Sequence, residues 1–348
     1  MCKAEIYSPY KIAHHMDKLK QIKEGKIPPP VNAQIDWTNL CTLNCSFCIY
    51  RNAGMDVEGM HFDPDKSIQR EHGLRLLEEL AAIGVKSIES TGGGEPTLHP
   101  NFNEFVRHAR KLGLQQALIT NGTLVDEETA RNIADFEWVR FSIDAATRET
   151  YEKIKGVDAF DRVIRNLKGL LRVRKEGNVV GFSFVVCREN YREIYDAARL
   201  AKELGCDNIR ISLAMTPQRE KLFIDIWDEI MAQIEQARKL EDENFRVFAF
   251  NNRIFDLQST EPQNCIYTYL VAVVTPTGCF PCCRLKSYPE FNFGNVQEKS
   301  FKEIWWGEKR VRFLNTVAKR CTWNCWMREK NKFAEYLLTD NPKHVNYI

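Results

Sequence analysis

Three cysteines, Cys41, Cys45 and Cys48, fall within the eight residues "CTLNCSFC". A structural zinc ion is closed by four ligands in a tetrahedron, whereas a cubane iron–sulfur cluster has four irons and usually gives one cysteine to each. Three thiols in one tight loop therefore leave a cubane with one iron free of protein, open to a substrate or cofactor. Zinc completed by a distant side chain is the alternative for this loop taken alone. Six further cysteines, Cys265, Cys279, Cys282, Cys283, Cys321 and Cys325, gather late in the chain. Clustering at short spacings points to metal ligation. A chain of 348 residues, 44% of them hydrophobic, can build its core without a disulfide framework. Cys2, Cys187 and Cys206 stand apart.

Further ligand chemistry follows the cysteine loop. "TGGGEPTLHP" (Thr91 to Pro100) has glycines that let backbone approach a ligand, and Glu95 offers a carboxylate suited to an ammonium group. It lacks the spacing of a phosphate loop. "ITNGT" (Ile119 to Thr123) and "FSIDAAT" (Phe141 to Thr147) bring small polar groups suited to hydroxyls.

The elements that must position these groups are legible as alternating strand and helix patterns. Strands are expected near Gln34–Thr38, Lys86–Thr91, Leu114–Thr120, Trp138–Asp144, Val179–Cys187 and Asn208–Leu213, with helices such as Glu71 to Gly84 and Asn190 to Gly205 between them. Such alternation predicts parallel βαβ units with right-handed crossovers, and parallel strands hold ligands at their C-terminal ends. Each motif above follows a strand, so all of them share one rim. In "WVRFSID" one face carries Arg140, Ser142 and Asp144 and the other Val139, Phe141 and Ile143, and Gln34, Asp36 and Thr38 share a face in "QIDWT". A sheet covered by helices on both faces is apolar on both. The polar inner faces instead predict a curved sheet around a wet cavity, a partial barrel, unless these residues only cap strand ends. A helical stretch, Gln218 to Asp242, is expected next.

Net charge is +2 and acids nearly equal bases, so composition makes no case for nucleic acid or membrane as a partner. The longest apolar run, Tyr269 to Val274, is too short to span a bilayer, and the start of the chain is charged rather than signal-like. A cytoplasmic location is the expectation.

The ordered set "CTLNCSFC", "GGEP", "TNG" and "SIDA", each after a successive strand, resembles the radical S-adenosylmethionine (SAM) superfamily over about the first two-thirds of the chain. The resemblance implies a partial (β/α)6 barrel and a [4Fe–4S] cluster on Cys41, Cys45 and Cys48. Its open iron would be chelated by the amino and carboxylate groups of SAM. One-electron cleavage would then yield a 5′-deoxyadenosyl radical that takes a hydrogen atom from substrate, the cofactor carrying the hard chemistry. Carried over by position, Phe47 matches an aromatic near adenine. Gly93, Gly94, Glu95 and Pro96 match the segment at the methionine amino group. Thr120, Asn121, Ser142 and Asp144 match positions near the ribose and carboxylate, and Leu213 matches an adenine contact.

The late cysteines resemble the auxiliary-cluster extension of that superfamily, twitch in its short form and SPASM in its long one, with "GNV" followed by "SFKEIW" (Ser300 to Trp305). "TPTGCFPCC" reads as a hairpin turn between "YLVAVVT" and "CRLK". Six cysteines are too few for two fully ligated auxiliary clusters, so one is expected. Its ligands would be Cys265, Cys283, Cys321 and Cys325; Cys283 is preferred because its spacing after Cys265 resembles the 2-deoxy-scyllo-inosamine dehydrogenase type, with Cys282 the alternative, and a zinc ribbon from the same residues is the other possibility. The cofactor set is then two [4Fe–4S] clusters and SAM. The expected domains are an N-terminal helical extension (1–30), the partial barrel (31–242) and a small C-terminal auxiliary-cluster domain (243–348).

Cys187 ends the fifth strand on the reactive rim, where a thiol could return a hydrogen atom to a substrate radical; a buried structural thiol is the alternative. Arg210, Glu89 and Asp36 are candidates for the cavity wall or for a buried ion-pair network, and Trp305, Trp306, Trp323 and Trp326 for packing around the auxiliary cluster. About thirty residues precede the first strand, too few for an added peptide-binding domain. The expectation is therefore a small polar substrate that is oxidised or epimerised, with a reductant such as flavodoxin or ferredoxin. Peptide or protein modification is the second enzyme class, and a non-catalytic metal protein the rival outside enzymes.

Overall fold

The computed structural model describes residues 7–51, 59–214, 222–249, 262–322, 325 and 327–340. Cys2, Trp323, Trp326 and the start of the helical stretch expected from Gln218 lie outside them.

Side chains of one strand point alternately to opposite faces, and here that alternation separates core from cavity. In β2 (Ser87–Thr91) Ile88 and Ser90 are buried beneath helices, while Ser87, Glu89 and Thr91 line a cavity. In β4 (Trp138–Ser142) Val139 and Phe141 take the core side, and Trp138 and Arg140 the cavity side. β1 (Asn32–Asp36), β3 (Gln115–Thr120), β5 (Val179–Val186) and β6 (Asn208–Leu213) complete six parallel neighbours in sequence order. The polar inner faces thus belong to a cavity wall. The partial barrel is the observed fold, and the expected strands hold within one or two residues at each end.

Amphipathic helices cover the outside. α1 (Met16–Lys23) precedes the barrel; α2 (Arg70–Ala82), α3 (Phe102–Lys111), α4 (Glu127–Asn132), α5 (Arg148–Lys155), α6 (Phe160–Val173) and α7 (Ile194–Leu204) connect the strands. α3 turns Phe102, Phe105, Val106 and Ala109 inward at helical spacing. Trp37, just past β1, stacks on Phe105 at 4.5 Å between ring centroids and donates from Nε1 to Ser90 Oγ at 2.9 Å.

The sheet goes further than six strands. β7 (Arg246–Ala249), after the helix Trp227–Arg238, pairs in parallel with β6. β8 (Val271–Thr275) pairs in parallel with β1, and β9 (Gly278–Phe280) returns antiparallel to β8. The expected hairpin turn is present, but its arms differ from the sequence reading. Tyr269 and Leu270 belong to a helical turn, Tyr267–Leu270. The segment "CRLK", Cys283 to Lys286, forms turns instead of a strand; Pro281 has no N–H to continue the ladder.

Trp37 should be among the costliest core positions. Trp37→Ala is expected to lose about 3–5 kcal/mol, and Trp37→Phe about 1 kcal/mol through the Ser90 hydroxyl left without its donor. Denaturant midpoints compared with wild type at equal cluster loading would check both values.

Candidate functional site

The cysteine loop follows β1 and is held from three sides. Asn44 N–H donates to Lys155 O at 2.9 Å and Ser46 N–H to Ile154 O at 2.8 Å, so the last turn of α5 supports the loop from below. Gly156 closes α5 in the left-handed region (φ 69°), and a Cβ there would stand 2.9 Å from Asn44 O. Asn121 donates from Nδ2 to Thr42 Oγ1 at 3.0 Å and lies 3.7 Å from Cys41 Sγ. On the third side Glu95 N–H reaches Leu40 O at 2.8 Å, and Gly94 runs so close that an added Cβ would sit 2.2 Å from Leu40 O and 2.6 Å from Thr38 O. That close approach is what a glycine permits here.

The three thiols are half-buried and within electrostatic reach of one another. Burial pushes the Cys45 thiol up to about 11, with Lys155 opposing and Asp144, Cys41 and Cys48 adding to the rise; burial raises Cys41 as well. Cys41 and Cys45 therefore stay protonated at neutral pH as free thiols, and metal binding would displace the protons.

Glu95, 2% exposed, organises the glycine loop. Its Oε1 accepts from Thr97 N–H (3.1 Å), Thr97 Oγ1 (2.6 Å) and Thr120 Oγ1 (2.6 Å), while Oε2 accepts from Asn121 N–H (2.6 Å). A carboxylate oxygen has two lone-pair sites, so Oε2 keeps one for an ammonium group. Pro96 opens the short 3-10 turn Pro96–Leu98. Thr120 and Asn121 are thus tied into the rim by protein partners; Asn121 Oδ1 also accepts from Thr123 N–H and Oγ1.

Two buried ion pairs flank the loop. Asp144, with φ at 62°, turns the chain after β4; it pairs through Oδ2 with the Lys155 ammonium and accepts Val185 N–H on Oδ1 at 2.6 Å. Lys155 is 1% exposed and lies 5.3 Å from the Phe47 ring centroid. Burial opposes its charge, but Asp144, the neighbouring Cys45 and the Asp144 hydrogen bond hold the ammonium above its ordinary range. Sequence reasoning missed Lys155; the signal was present as a lysine one residue before a helix-ending glycine, "KIKG", and as the need to neutralise Asp144. On the other side Lys286 Nζ meets Asp36 Oδ2 at 2.7 Å and lies 4.9 Å from the Tyr50 ring, and the same Oδ2 accepts Gly93 N–H at 2.9 Å. Tyr50 and Lys286 were also missed. Asp36 thus belongs both to the cavity wall and to an ion pair, so the two alternatives coexist.

Ser142 ends β4 on the rim and Leu213 ends β6, largely buried. Cys187 is buried next to Asp144 and Cys45; its N–H is capped by Asn190 Oδ1 at 2.6 Å, and burial pushes its thiol far up, so it keeps its S–H. His99 serves structure, with Nε2 2.8 Å from Ile68 O and Nδ1 accepting Asn101 N–H.

The late cysteines meet beside the barrel. Cys265, Cys321 and Cys325 feel one another, and a bridge joins Gln263 to Cys321. Asn331 Nδ2 lies 3.7 Å from Cys265 Sγ and Met327 N–H 3.3 Å from Cys325 Sγ; donors aimed at sulfur are among the features that tune thiolate-bound clusters. Cys282 feels Cys265 and Cys325, whereas Cys283 feels Cys325, Lys286 and Glu89 and borders the barrel cavity. Both are half-buried thiols driven up by desolvation, Cys283 to about 12. Cys279 sits apart in β9. Tyr269, Phe291, Phe293 and Phe313 form the apolar shell near Cys265 and Cys282. Trp305 and Trp306 lie elsewhere: their indoles donate to Pro28 O and Ile27 O and hold the N-terminal segment. Among the described residues no three His, Cys, Asp or Glu side chains gather tightly enough to hold a single metal ion. A cubane makes a different demand, with each thiolate serving its own iron; Cys41, Cys45 and Cys48 lie within electrostatic reach of one another, as do Cys265, Cys321 and Cys325.

Residues 35–201 match the radical SAM superfamily, and residues 265–326 match SPASM, an iron–sulfur cluster-binding domain. The chain carries a radical SAM domain followed by a SPASM domain. It is thus a radical SAM enzyme, and such an enzyme works with SAM, a [4Fe–4S] cluster and the further iron–sulfur ligation of SPASM. Among curated proteins it is 28% identical over 328 residues to the tungsten-containing aldehyde ferredoxin oxidoreductase cofactor-modifying protein of Pyrococcus furiosus, covering 86% of this chain and 88% of that one. It is 27% identical over 295 residues to the PqqA peptide cyclase of Gluconobacter oxydans, covering 80% and 76%. Among solved structures the fold matches Streptococcus suis SuiB bound to S-adenosylmethionine with a TM-score of 0.68 at 16% identity, covering 91% of this chain and 78% of SuiB.

Two substitutions probe the rim. Lys155→Met leaves Asp144 as a buried unpaired charge, with an expected loss of about 3–5 kcal/mol; thermal unfolding should show much of it restored in the Asp144→Asn/Lys155→Met double variant, since asparagine tolerates the left-handed backbone and keeps an acceptor for Val185 N–H. Gly94→Val forces the glycine loop off the cysteine loop, so iron bound at Cys41, Cys45 and Cys48 should fall while iron at the late cysteines persists, as read by iron content per chain.

Proposed function

We propose that this radical SAM enzyme modifies a peptide, with Cys41, Cys45 and Cys48 holding the SAM-binding cluster. Cys265, Cys321 and Cys325 with Cys283 or Cys282 would hold one auxiliary cluster in the region from residue 243 onward. The bound SAM and cluster would supply a 5′-deoxyadenosyl radical able to take a hydrogen atom from an unactivated C–H bond. The chain's own side chains set the rest. Glu95 offers its remaining Oε2 lone pair to the methionine ammonium, Lys155 offers its ammonium to the carboxylate, and Phe47 borders the adenine side. Thr120, Asn121, Ser142 and Leu213 complete the rim. Cys187, an S–H at the end of β5 that lies 3.7 Å from Val185 O within the core, would have to turn toward the cavity to return a hydrogen atom to the substrate.

The observation that carries the peptide substrate is the barrel cavity of about 1610 Å³, larger than the few hundred to 1,000 Å³ of a drug-sized pocket. The PqqA peptide cyclase supports the same class. A small polar substrate, oxidised as in the 2-deoxy-scyllo-inosamine dehydrogenase type or epimerised, is the second reading, favoured by the polar wall and by the cofactor-modifying relative. A flavodoxin or ferredoxin would deliver the electron. Among the described residues no helix is long and apolar enough to cross a membrane.

Anaerobically reconstituted protein should bind about eight irons and form 5′-deoxyadenosine with a strong reductant. Alanine at Cys41, Cys45 and Cys48 together should leave about four irons and no cleavage, and single alanine variants at Cys282 and Cys283 should show which one lowers the auxiliary iron. Co-expression with short peptides encoded beside the gene should change a peptide's mass; small molecules altered with every peptide unchanged would decide for the second reading.

A further inference from the structure

The wall of the cavity is charged in its middle layer. Glu89 faces inward from β2 and is held by Gln34 Nε2 at 3.2 Å. Arg140, Arg210 and Lys330 all lie within its electrostatic reach. Burial, the largest influence on Glu89, pushes its carboxyl up, while Arg140, the Gln34 hydrogen bond, Arg210 and Lys330 oppose the rise; one carboxylate thus faces three cations. Asp36 is already satisfied in charge by Lys286. Lower down, Asp207 is paired with Arg174.

Arg140 is the side chain these facts single out. Of its two strand neighbours in register, Ile119 on β3 is apolar and Gly181 on β5 carries no side chain, so neither offers it a polar partner. Its Nη1 donates to the Tyr7 hydroxyl at 3.2 Å and its guanidinium lies 5.4 Å from the Trp138 ring. Its Nε is buried and has no hydrogen-bond partner among the described residues, and the Glu89 carboxylate lies within its electrostatic reach without a hydrogen bond to that nitrogen. A guanidinium has five N–H donors in a planar fork matched to a carboxylate. A buried donor left unsatisfied costs about 1–3 kcal/mol, a cost that an incoming acceptor removes.

We infer that the cavity receives an anionic group of the substrate, the carboxylate of an acidic side chain in the peptide, and that Arg140 is its principal recognition residue. This rests on the peptide reading above. Arg140 acts on specificity: it draws the acidic side chain into the barrel and so fixes which neighbouring C–H bond faces the rim, where SAM is held.

The test uses the cluster-loaded full chain with SAM and three short capped alanine–glycine peptides carrying a central glutamate, glutamine or lysine, with glutarate as the free dicarboxylate. Affinities are measured by calorimetry. The glutamate peptide should bind about tenfold or more tighter than its glutamine isostere, and Arg140→Met should erase that preference, with iron content and melting temperature confirming that the variant is folded. Arg140→Lys should restore part of it, since it keeps the charge and loses the fork. Should Arg140→Met fail to fold, the ranking of the three peptides on wild type still decides. Equal binding of glutamate and glutamine peptides, or tighter binding of the lysine peptide, would overturn the inference and leave the peptide reading standing. Glutarate binding that depends on Arg140, with no peptide bound, would support the anion site and defeat the peptide reading. Absence of all binding would overturn the inference.

Discussion

The carboxylate of Asp36, at the last position of β1, joins three parts of the molecule through one oxygen: the strand that leads to the cysteine loop, the Gly93 N–H of the glycine loop, and the Lys286 ammonium of the C-terminal region. A buried charge has to be compensated, so the first strand cannot reach its place unless both the other parts do. Cys41 lies five residues beyond Asp36 and Cys283 three residues before Lys286. The relative position of the two cysteine groups is therefore tied to a single ion pair, with Tyr50 packed beside it.

Asp144 and Lys155 make the matching joint on the far side of the loop, linking the end of β4 to the helix whose last carbonyls hold the loop backbone. Both pairs are nearly inaccessible to water. Buried pairs of this kind are poor sources of net stability but are costly to break from one side. Their value here is positional: they hold a loop with little regular structure against a barrel rim, where small displacements would alter the spacing of three sulfurs.

Much of this was legible in the residues. The three-thiol loop, the glycine loop and the short polar motifs are local in sequence, and the polar face of Arg140 in "WVRFSID" pointed to a cavity wall; Glu89 and Arg210, open between that wall and an ion-pair network, line the cavity as well. The unread parts depend on long-range meetings. Lys155, Lys286 and Tyr50 are single residues whose meaning comes from partners on other elements. The pairing of β8 with β1 joins residues far apart in the chain, and no local pattern announces it. Pro281 was a readable sign that the hairpin's second arm would stop, and the indoles of Trp305 and Trp306 found the carbonyls of Pro28 and Ile27 rather than the cysteines that stand nearer in sequence.

The β8–β1 pairing also imposes an order on synthesis. The barrel strands β1 to β6 are complete by Leu213, yet β1 remains an uncovered edge until Val271–Thr275 leaves the ribosome. An open parallel edge is a template for wrong pairing, and the cysteine loop hangs directly from it. During translation the nascent barrel is thus vulnerable to association with other chains through that edge. Protection arrives only with the strand that introduces the second group of cysteines.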